Sequence, residues 1–391
     1  MTTTETLVDG LCDERFEGVR RAFEENLEQY GDIGAAVAVT IDGKPVIDLW
    51  GGYMDRERTR PWQQDSLVTV YSTTKGMTAI CAHRLIEQGL LDVDAPVSQY
   101  WPEFAQAGKA DVPVRMLITH SVGLPSVSEP LPEGGIYDWD VVTEALAKQE
   151  PLWEPGTTHG YHGLTFGWLV GEVVKRISGK SLGTYFRDEV AVPLGLDSHI
   201  GLPPEHDARV ATMYAHEPTP EEAEQMKARR DEMQKQMLPS VLAAQANVPI
   251  PPEPNGHNSE GWKRSEIPAA NGHSDARSLA RMYGALSRGG ELDGVRVLES
   301  ETIDRALVQQ VAGRDESLGM ETRFGLGFWL DRDGGMGPNP RTFGHPGAGG
   351  SVGFADPDAK VGFGYVMNQM KVGLLVEGTG RRLIDAFYDA L

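Results

Sequence analysis

Cysteine is nearly absent: the 391 residues hold two, Cys12 and Cys81. A disulfide framework of the kind that staples small secreted domains is therefore excluded. Positive charge is also in short supply. Lys and Arg number 36 against 57 Asp and Glu, a formal net charge of −21 that repels polyanions, so neither nucleic acid nor an anionic membrane surface is an expected partner. No apolar run reaches the roughly 20 residues of a membrane-spanning helix, and no repeat recurs at solenoid or propeller periods. The opening Met1-Thr-Thr-Thr-Glu-Thr-Leu-Val-Asp-Gly10 lacks the basic stretch and apolar core of a secretory signal, so a soluble cytoplasmic protein is the expectation.

The sequence marks of metal and nucleotide chemistry are missing as well. His159 and His162 do not form the His-Glu-x-x-His helix of a zinc hydrolase, and the glycine-rich patches lack the Lys-Ser/Thr or strand-to-helix setting of a phosphate loop. No metal or cofactor is assigned. His120 and His273 fall in turns, where a neutral imidazole bridging backbone groups is the expected role.

What is present is ordinary globular composition, 40% hydrophobic and 24% charged, over a length that suits two or three domains or one large composite. Phe16, Val19, Phe23 and Leu27 form one helical stripe between Asp13 and Tyr30. A hairpin follows, with Ala35–Ile41 and Pro45–Trp50 flanking the turn signal Asp42-Gly43. Helical spacing recurs at Trp139–Lys148, Leu164–Ile177, Leu182–Val190, Ser278–Leu286 and Ser300–Leu307. Between Arg323 and Met367 four short strands are expected, at Arg323–Leu330, Arg341–His345, Gly350–Ala355 and Val361–Met367, before a helix over Leu374–Tyr388. Strands at both chain ends with helices between them predict an α+β fold, its mainly antiparallel sheet assembled from residues 1–68 and 270–391 and a mainly helical domain, 69–269, inserted.

Residues 203–268 differ from the rest, being rich in Pro, Glu, Gln and Met. Thr219-Pro220-Glu221-Glu222 is a capping-box helix start, but Met226, Met233 and Met237 give that helix only a thin apolar stripe. The segment is read as an insertion lying over something, a pocket rim or a subunit contact, with a solvated excursion as the bland alternative. A homo-oligomer is compatible with the second of these.

Chemistry concentrates at Ser72-Thr73-Thr74-Lys75. A β-branched run, Val68-Thr-Val70, gives way there to a helix marked by Met77, Ile80, Cys81, Leu85 and Ile86 and stopped at Gly89. A serine at that start has its hydroxyl beside unpaired N–H groups, and a lysine three residues on shares its face. If burial keeps the amine neutral, it can take the serine's proton. The alternative is an N-cap serine and a solvated lysine. Two other stretches offer partners. Tyr161, in the turn-rich loop Trp153–Gly163 before a helix, can shuttle a proton, though a lone tyrosine is more commonly an aromatic plug. His345-Pro346-Gly347-Ala348 ends one strand, and a backbone N–H there can join that of Ser72 as an oxyanion donor.

Together these blocks resemble the serine β-lactamase and penicillin-binding-protein superfamily, and within it the family VIII carboxylesterases. The resemblance runs from about Ile33 to the end. Besides Ser72-x-x-Lys75 it includes Leu90–Val97, Leu117-Ile-Thr-His-Ser-Val-Gly-Leu-Pro125, Glu154-Pro-Gly156 before Tyr161, Val192-Pro-Leu-Gly-Leu196 and His345-Pro-Gly347. It implies a β-lactamase/DD-peptidase-like fold, Ser72 as acylated nucleophile, Lys75 and Tyr161 as acid/base pair, and the N–H groups of Ser72 and Ala348 as oxyanion hole. His345, Gly347 and His162 would then contact substrate. Two departures matter. His345 stands where lactamases and peptidases carry the lysine of Lys-Thr-Gly, replacing a fixed cation with a mostly neutral imidazole. Tyr161-His162-Gly163 lacks the asparagine that pairs with a substrate amide. Both favour simple carboxylic esters of short to medium acyl groups over penicillins and D-Ala-D-Ala peptides; a lactamase or peptidase, an acyltransferase and a silent binding module are the alternatives. Gly349-Gly350-Ser351-Val352-Gly353 also matches the nucleophile elbow of α/β-hydrolases, but a strand rather than a helix is expected after it and His345 is the last histidine, so that triad order cannot be built.

Overall fold

The computed structural model describes residues 8–245, 247, 256–331 and 334–391. The first seven residues of the stretch inspected for a signal, and residues 246 and 248–255 of the inserted segment, lie outside them. Among the described residues no helix is long and apolar enough to cross a membrane.

Both chain ends build one nine-stranded sheet, in the order Val8–Cys12, Lys44–Gly52, Gly34–Ile41, Val361–Met367, Val352–Asp356, Phe343–Pro346, Trp329–Leu330, Glu321–Phe324, Val311–Arg314. Every pairing is antiparallel. Asp42 and Gly43 both take positive φ, 47° and 78°, as a two-residue hairpin turn matched to strand twist requires. In Val361-Gly-Phe-Gly-Tyr-Val-Met367 the period-two alternation sorts the faces. Gly362 and Gly364 lie under the helix Ala276–Ser287, where a Cβ would stand 2.2 Å from Gly284 N and 2.3 Å from Ala276 O respectively. Phe363, on the other face, stacks on Phe354 at 4.8 Å and reaches Phe387 of the helix Gly378–Tyr388 at 6.5 Å.

The helices Trp139–Lys148 and Thr165–Ser178 pack together, and the second lies on Thr74–Glu87. The last of these is buried on every side from Thr74 to His83, more than the one apolar face its sequence advertises. Two departures from the expected strands have visible causes. Arg323–Leu330 is not one strand: Gly325 and Gly327 let the chain reverse, and Phe324 pairs with Trp329 across the turn. Val8–Cys12 and Val311–Arg314, which the sequence pattern does not announce, are edge strands with alternate residues exposed and little apolar signal.

In the inserted segment Pro220–Gln234 is a helix opened by the capping box, with Glu222 N–H donating to Thr219 Oγ1 at 3.2 Å and Thr219 N–H to Glu222 Oε2 at 2.8 Å. None of its residues is buried. Its methionine stripe faces a cavity of about 750 Å³ whose opposite wall includes Leu318, Met320, Leu374 and Leu375.

Candidate active site

Ser72 does not begin an α-helix. It lies in a 3-10 turn, Tyr71–Thr73, and the α-helix starts at Thr74; neither start has a side-chain cap, so the N-cap reading of Ser72 fails. Tyr71 carries a φ of 45°, a left-handed conformation that costs a non-glycine residue of order 1 kcal/mol. Neighbours hold it there. Its hydroxyl donates to Met370 Sδ at 3.3 Å and lies 3.1 Å from His257 Nδ1, while Thr74 Oγ1 donates to Tyr71 O at 2.5 Å and accepts from Gly272 N–H at 2.9 Å. The strained corner turns Ser72 toward the junction of sheet and helices.

Lys75 is fully buried, and its Nζ lies 3.3 Å from Ser72 Oγ, 2.6 Å from Gly163 O and 3.0 Å from Ala269 O. No carboxylate pairs with it among the described residues, and desolvation holds its pKa well below that of an ordinary lysine. The partners fit a neutral amine. Gly163 O and Ala269 O accept from Nζ, and an amine in its neutral form, with only two N–H donors, then has its lone pair left for the Ser72 hydroxyl. Its Nζ also sits 4.6 Å from the centre of the Tyr161 ring.

The Tyr161 hydroxyl is buried and makes no complete hydrogen bond in this state; burial raises its pKa, and the nearby Ser72 hydroxyl acts in the opposite direction. The backbone of Tyr161 is pinned by a residue the sequence did not flag. Both carboxylate oxygens of Asp315 accept the Tyr161 N–H at 2.9 Å, and the same carboxylate accepts from Ser317 N, Leu318 N and Thr322 Oγ1. Asp315 is buried, 154 residues from Tyr161 in sequence, and no local motif marks it.

Gly347 brings the end of its strand against the Ser72 turn. A Cβ there would lie 2.1 Å from Ser351 Oγ and 2.5 Å from Val70 O. Ser351, the centre of the false nucleophile elbow, is buried; its hydroxyl donates to Val70 O at 2.8 Å and lies 3.3 Å from Thr73 Oγ1, and its carbonyl accepts from Gly347 N–H at 2.7 Å. It staples together the two segments that carry the Ser72 and Ala348 N–H groups. Gly347 and Gly349 N–H are bonded to Ser351 O and Gly373 O, whereas Ala348 N–H between them has no backbone acceptor among the described residues.

The histidines behave differently from a substrate-contacting reading. His162 is fully buried with both nitrogens committed: Nδ1–H donates to Gly160 O at 2.6 Å, and Nε2 accepts from Leu124 N–H at 3.0 Å. Its ring shapes the Tyr161 loop and has no atom left for substrate. His345 is also buried, 1% exposed, with Nδ1–H bonded to Pro346 O at 2.7 Å, an Nε2 unpartnered among the described residues, and a pKa held well below the ordinary imidazole value by burial. It therefore offers an acceptor beside Tyr161, ring centres 5.8 Å apart, and no cation. His120 Nδ1 accepts from His162 N–H at 3.1 Å, a backbone bridge of the expected kind. Elsewhere Asp197, His199 and His206 converge closely enough for a metal, but the Arg209 guanidinium already sits among them, 2.6 Å from Asp197 Oδ2 and 2.9 Å from His206 Nδ1.

Comparison with known proteins bears on this geometry. The sequence profile described as Beta-lactamase matches residues 19–386. "Esterase/beta-lactamase LipL" of Mycobacterium tuberculosis is 38% identical over 386 residues, 93% of this chain and 83% of that protein. The crystal structure of a family VIII carboxylesterase superposes with a TM-score of 0.89 at 40% identity, covering 98% of this chain and all of that one (100%). A penicillin-binding-protein homolog from Caulobacter crescentus superposes with a TM-score of 0.89 at 37% identity, over 99% of this chain and 100% of its own.

Proposed function

The chain belongs to the beta-lactamase family, and from that membership we propose that it is a serine carboxylesterase that hydrolyses small-molecule esters through an acyl-enzyme on Ser72. One observation carries the mechanism: a buried lysine with no carboxylate partner among the described residues, its Nζ bonded to Gly163 O and Ala269 O, lies 3.3 Å from a serine hydroxyl. Ser72 Oγ attacks the ester carbonyl while its proton passes to Lys75 Nζ. The carbonyl oxygen, now negative, is held by the N–H groups of Ser72 and Ala348. Tyr161, beside the Lys75 amine, hands a proton to the departing alcohol and takes the one Lys75 received from Ser72 in its place. Water then enters the vacated place and loses its proton to the same pair, which returns a proton to Ser72 Oγ as the acid leaves.

Esters suit this site better than lactams. A penicillin brings a carboxylate and a side-chain amide, whereas the buried, neutral His345 supplies no cation and Gly163 no side-chain amide. The test is Ser72→Ala, assayed on p-nitrophenyl acetate and by mass spectrometry after a fluorophosphonate. We expect both turnover and adduct to vanish. A Ser72→Ala protein that still turns over the ester would overturn the mechanism, and a wild type that hydrolyses a penicillin faster than esters would transfer the assignment to the lactamases.

A further inference from the structure

We infer that the acyl group of the substrate lies in an apolar cavity beside Tyr161, and that Gln245, from the inserted segment, sets the acyl length this cavity takes; the inference rests on the esterase reading. The cavity has a volume of about 400 Å³, within the range of small-molecule sites, and Tyr161 and Gly163, the two residues beside the Lys75 amine, line it. Gly163 O is the acceptor 2.6 Å from Lys75 Nζ, so the space begins where the acylated serine must project its acyl chain. Val127, Leu131, Val142 and Trp168 supply walls, and among the described residues no Asp, Glu, Lys or Arg lines it. A charged acyl group would lose its hydration there without a partner.

The inserted segment completes this cavity. The short helix Pro239–Gln245 is seated by buried Val241 and Ala244, and Ser126 Oγ donates to Ala244 O at 2.9 Å. From its last residue, Gln245 Nε2 reaches across to Ser317 O at 3.3 Å. Gln245, Ser317 and Leu318 line this cavity and also the 750 Å³ methionine-walled cavity beneath Pro220–Gln234. The Gln245–Ser317 bond is thus a bar between this cavity and a larger one walled by methionines and leucines and edged by Glu222, Lys227, Arg229, Arg230 and Glu377. The thin stripe of Met226, Met233 and Met237 acquires a use on this view: unbranched, adaptable side chains wall the space beyond the bar. The acyl part is assigned to the Tyr161 cavity because it stays bound to Ser72 until water arrives and Gly163, which holds Lys75, lines that cavity.

Acyl chains should therefore gain from each methylene until they meet Gln245. The experiment measures kcat/KM on p-nitrophenyl acetate, butanoate, hexanoate, octanoate and dodecanoate, the alcohol held constant, for the wild type, Gln245→Ala and Leu131→Phe, each checked for folding by thermal melt. The wild type should rise by about fourfold per added methylene, the equivalent of ~0.8 kcal/mol per buried CH₂, and then fall between hexanoate and dodecanoate. Gln245→Ala should raise the ratio of dodecanoate to butanoate by about tenfold or more, as several newly buried methylenes imply. Leu131→Phe should move the optimum to shorter chains. An optimum unmoved in both folded variants, or a flat wild-type profile, overturns the inference, as does an equal dependence on the alcohol in a series of alkyl acetates. Failure of the esterase reading looks different: no ester turned over and no fluorophosphonate adduct on wild-type Ser72.

Discussion

Lys75 and Lys235 each lie three residues after a polar partner on a helical stretch, Ser72 in one case and Glu232 in the other. Lys235 is solvated, donates to Glu232 at 2.9 Å, and has its pKa raised by that hydrogen bond. Lys75 is buried among carbonyls, and desolvation lowers its pKa. The same contrast extends outward. Along Pro220–Gln234 polar groups satisfy one another locally, through the Thr219–Glu222 box and the 2.7 Å Lys227–Asp231 pair. Around Ser72 the Tyr161 hydroxyl and His345 Nε2 are buried without a complete hydrogen bond among the described residues, and Tyr71 is strained. A surface helix is stable as it stands, whereas the Ser72 corner holds groups whose bonding is completed by a reacting ester.

If that contrast is right, substitutions at the two places should separate activity from stability. The largest effect is expected for Lys75→Met, which removes the proposed base: kcat on p-nitrophenyl acetate should fall by on the order of 10³-fold or more, with KM much less changed. A loss of less than tenfold would make Lys75 a bystander. Tyr161→Phe should cost about 10²-fold in kcat while the melting temperature holds or rises, because the hydroxyl removed is a buried group without a complete hydrogen bond. An equal loss of both would make it the aromatic plug instead.

Asp315→Asn tests the link between the regions, since the Asp315 carboxylate holds Tyr161 on one side and the Ser317–Leu318 cavity wall on the other. Asparagine has one acceptor oxygen for donors now shared by two and turns an NH₂ toward them, so unfolding by urea should come about 1–3 kcal/mol easier. Its kcat should fall by about tenfold, as expected for a displaced proton donor. Normal kcat in a destabilised variant would reduce Asp315 to a structural role. The smallest effect belongs to Thr219→Ala: the helix loses its capping box, worth about 1 kcal/mol locally. Hydrogen exchange over Pro220–Gln234 should accelerate, and kcat on acetate should stay within about twofold of wild type, as for a change remote from the chemistry.

Much of this architecture was legible in the chain. Asp42-Gly43 fixed a hairpin, the helix Trp139–Lys148 falls where its spacing puts it, and the strand Val361–Met367 is marked by its own alternation. Ser72 and Lys75 could be paired because a helical turn makes three residues a contact distance. Other parts had no local signal. Asp315 acts on a backbone N–H far away in sequence, and a lone Asp in Gly313-Arg-Asp-Glu-Ser317 looks like any loop acid. The committed nitrogens of His162 follow from where Gly160 O and Leu124 N–H come to rest, which only the fold decides. The split of Arg323–Leu330 was foreshadowed by its two glycines and hidden by the aromatic and apolar residues around them.

The central claim is that Lys75 is a neutral amine when it takes the Ser72 proton, and the rate of Ser72 labelling by a fluorophosphonate as a function of pH tests it most directly. A base must be deprotonated to act, so the rate should rise as pH passes through the Lys75 pKa and level off well below the ordinary lysine value of about 10.4. A rate that is low at neutral pH and still climbing near pH ~10 would assign Lys75 an unperturbed ammonium and contradict the account.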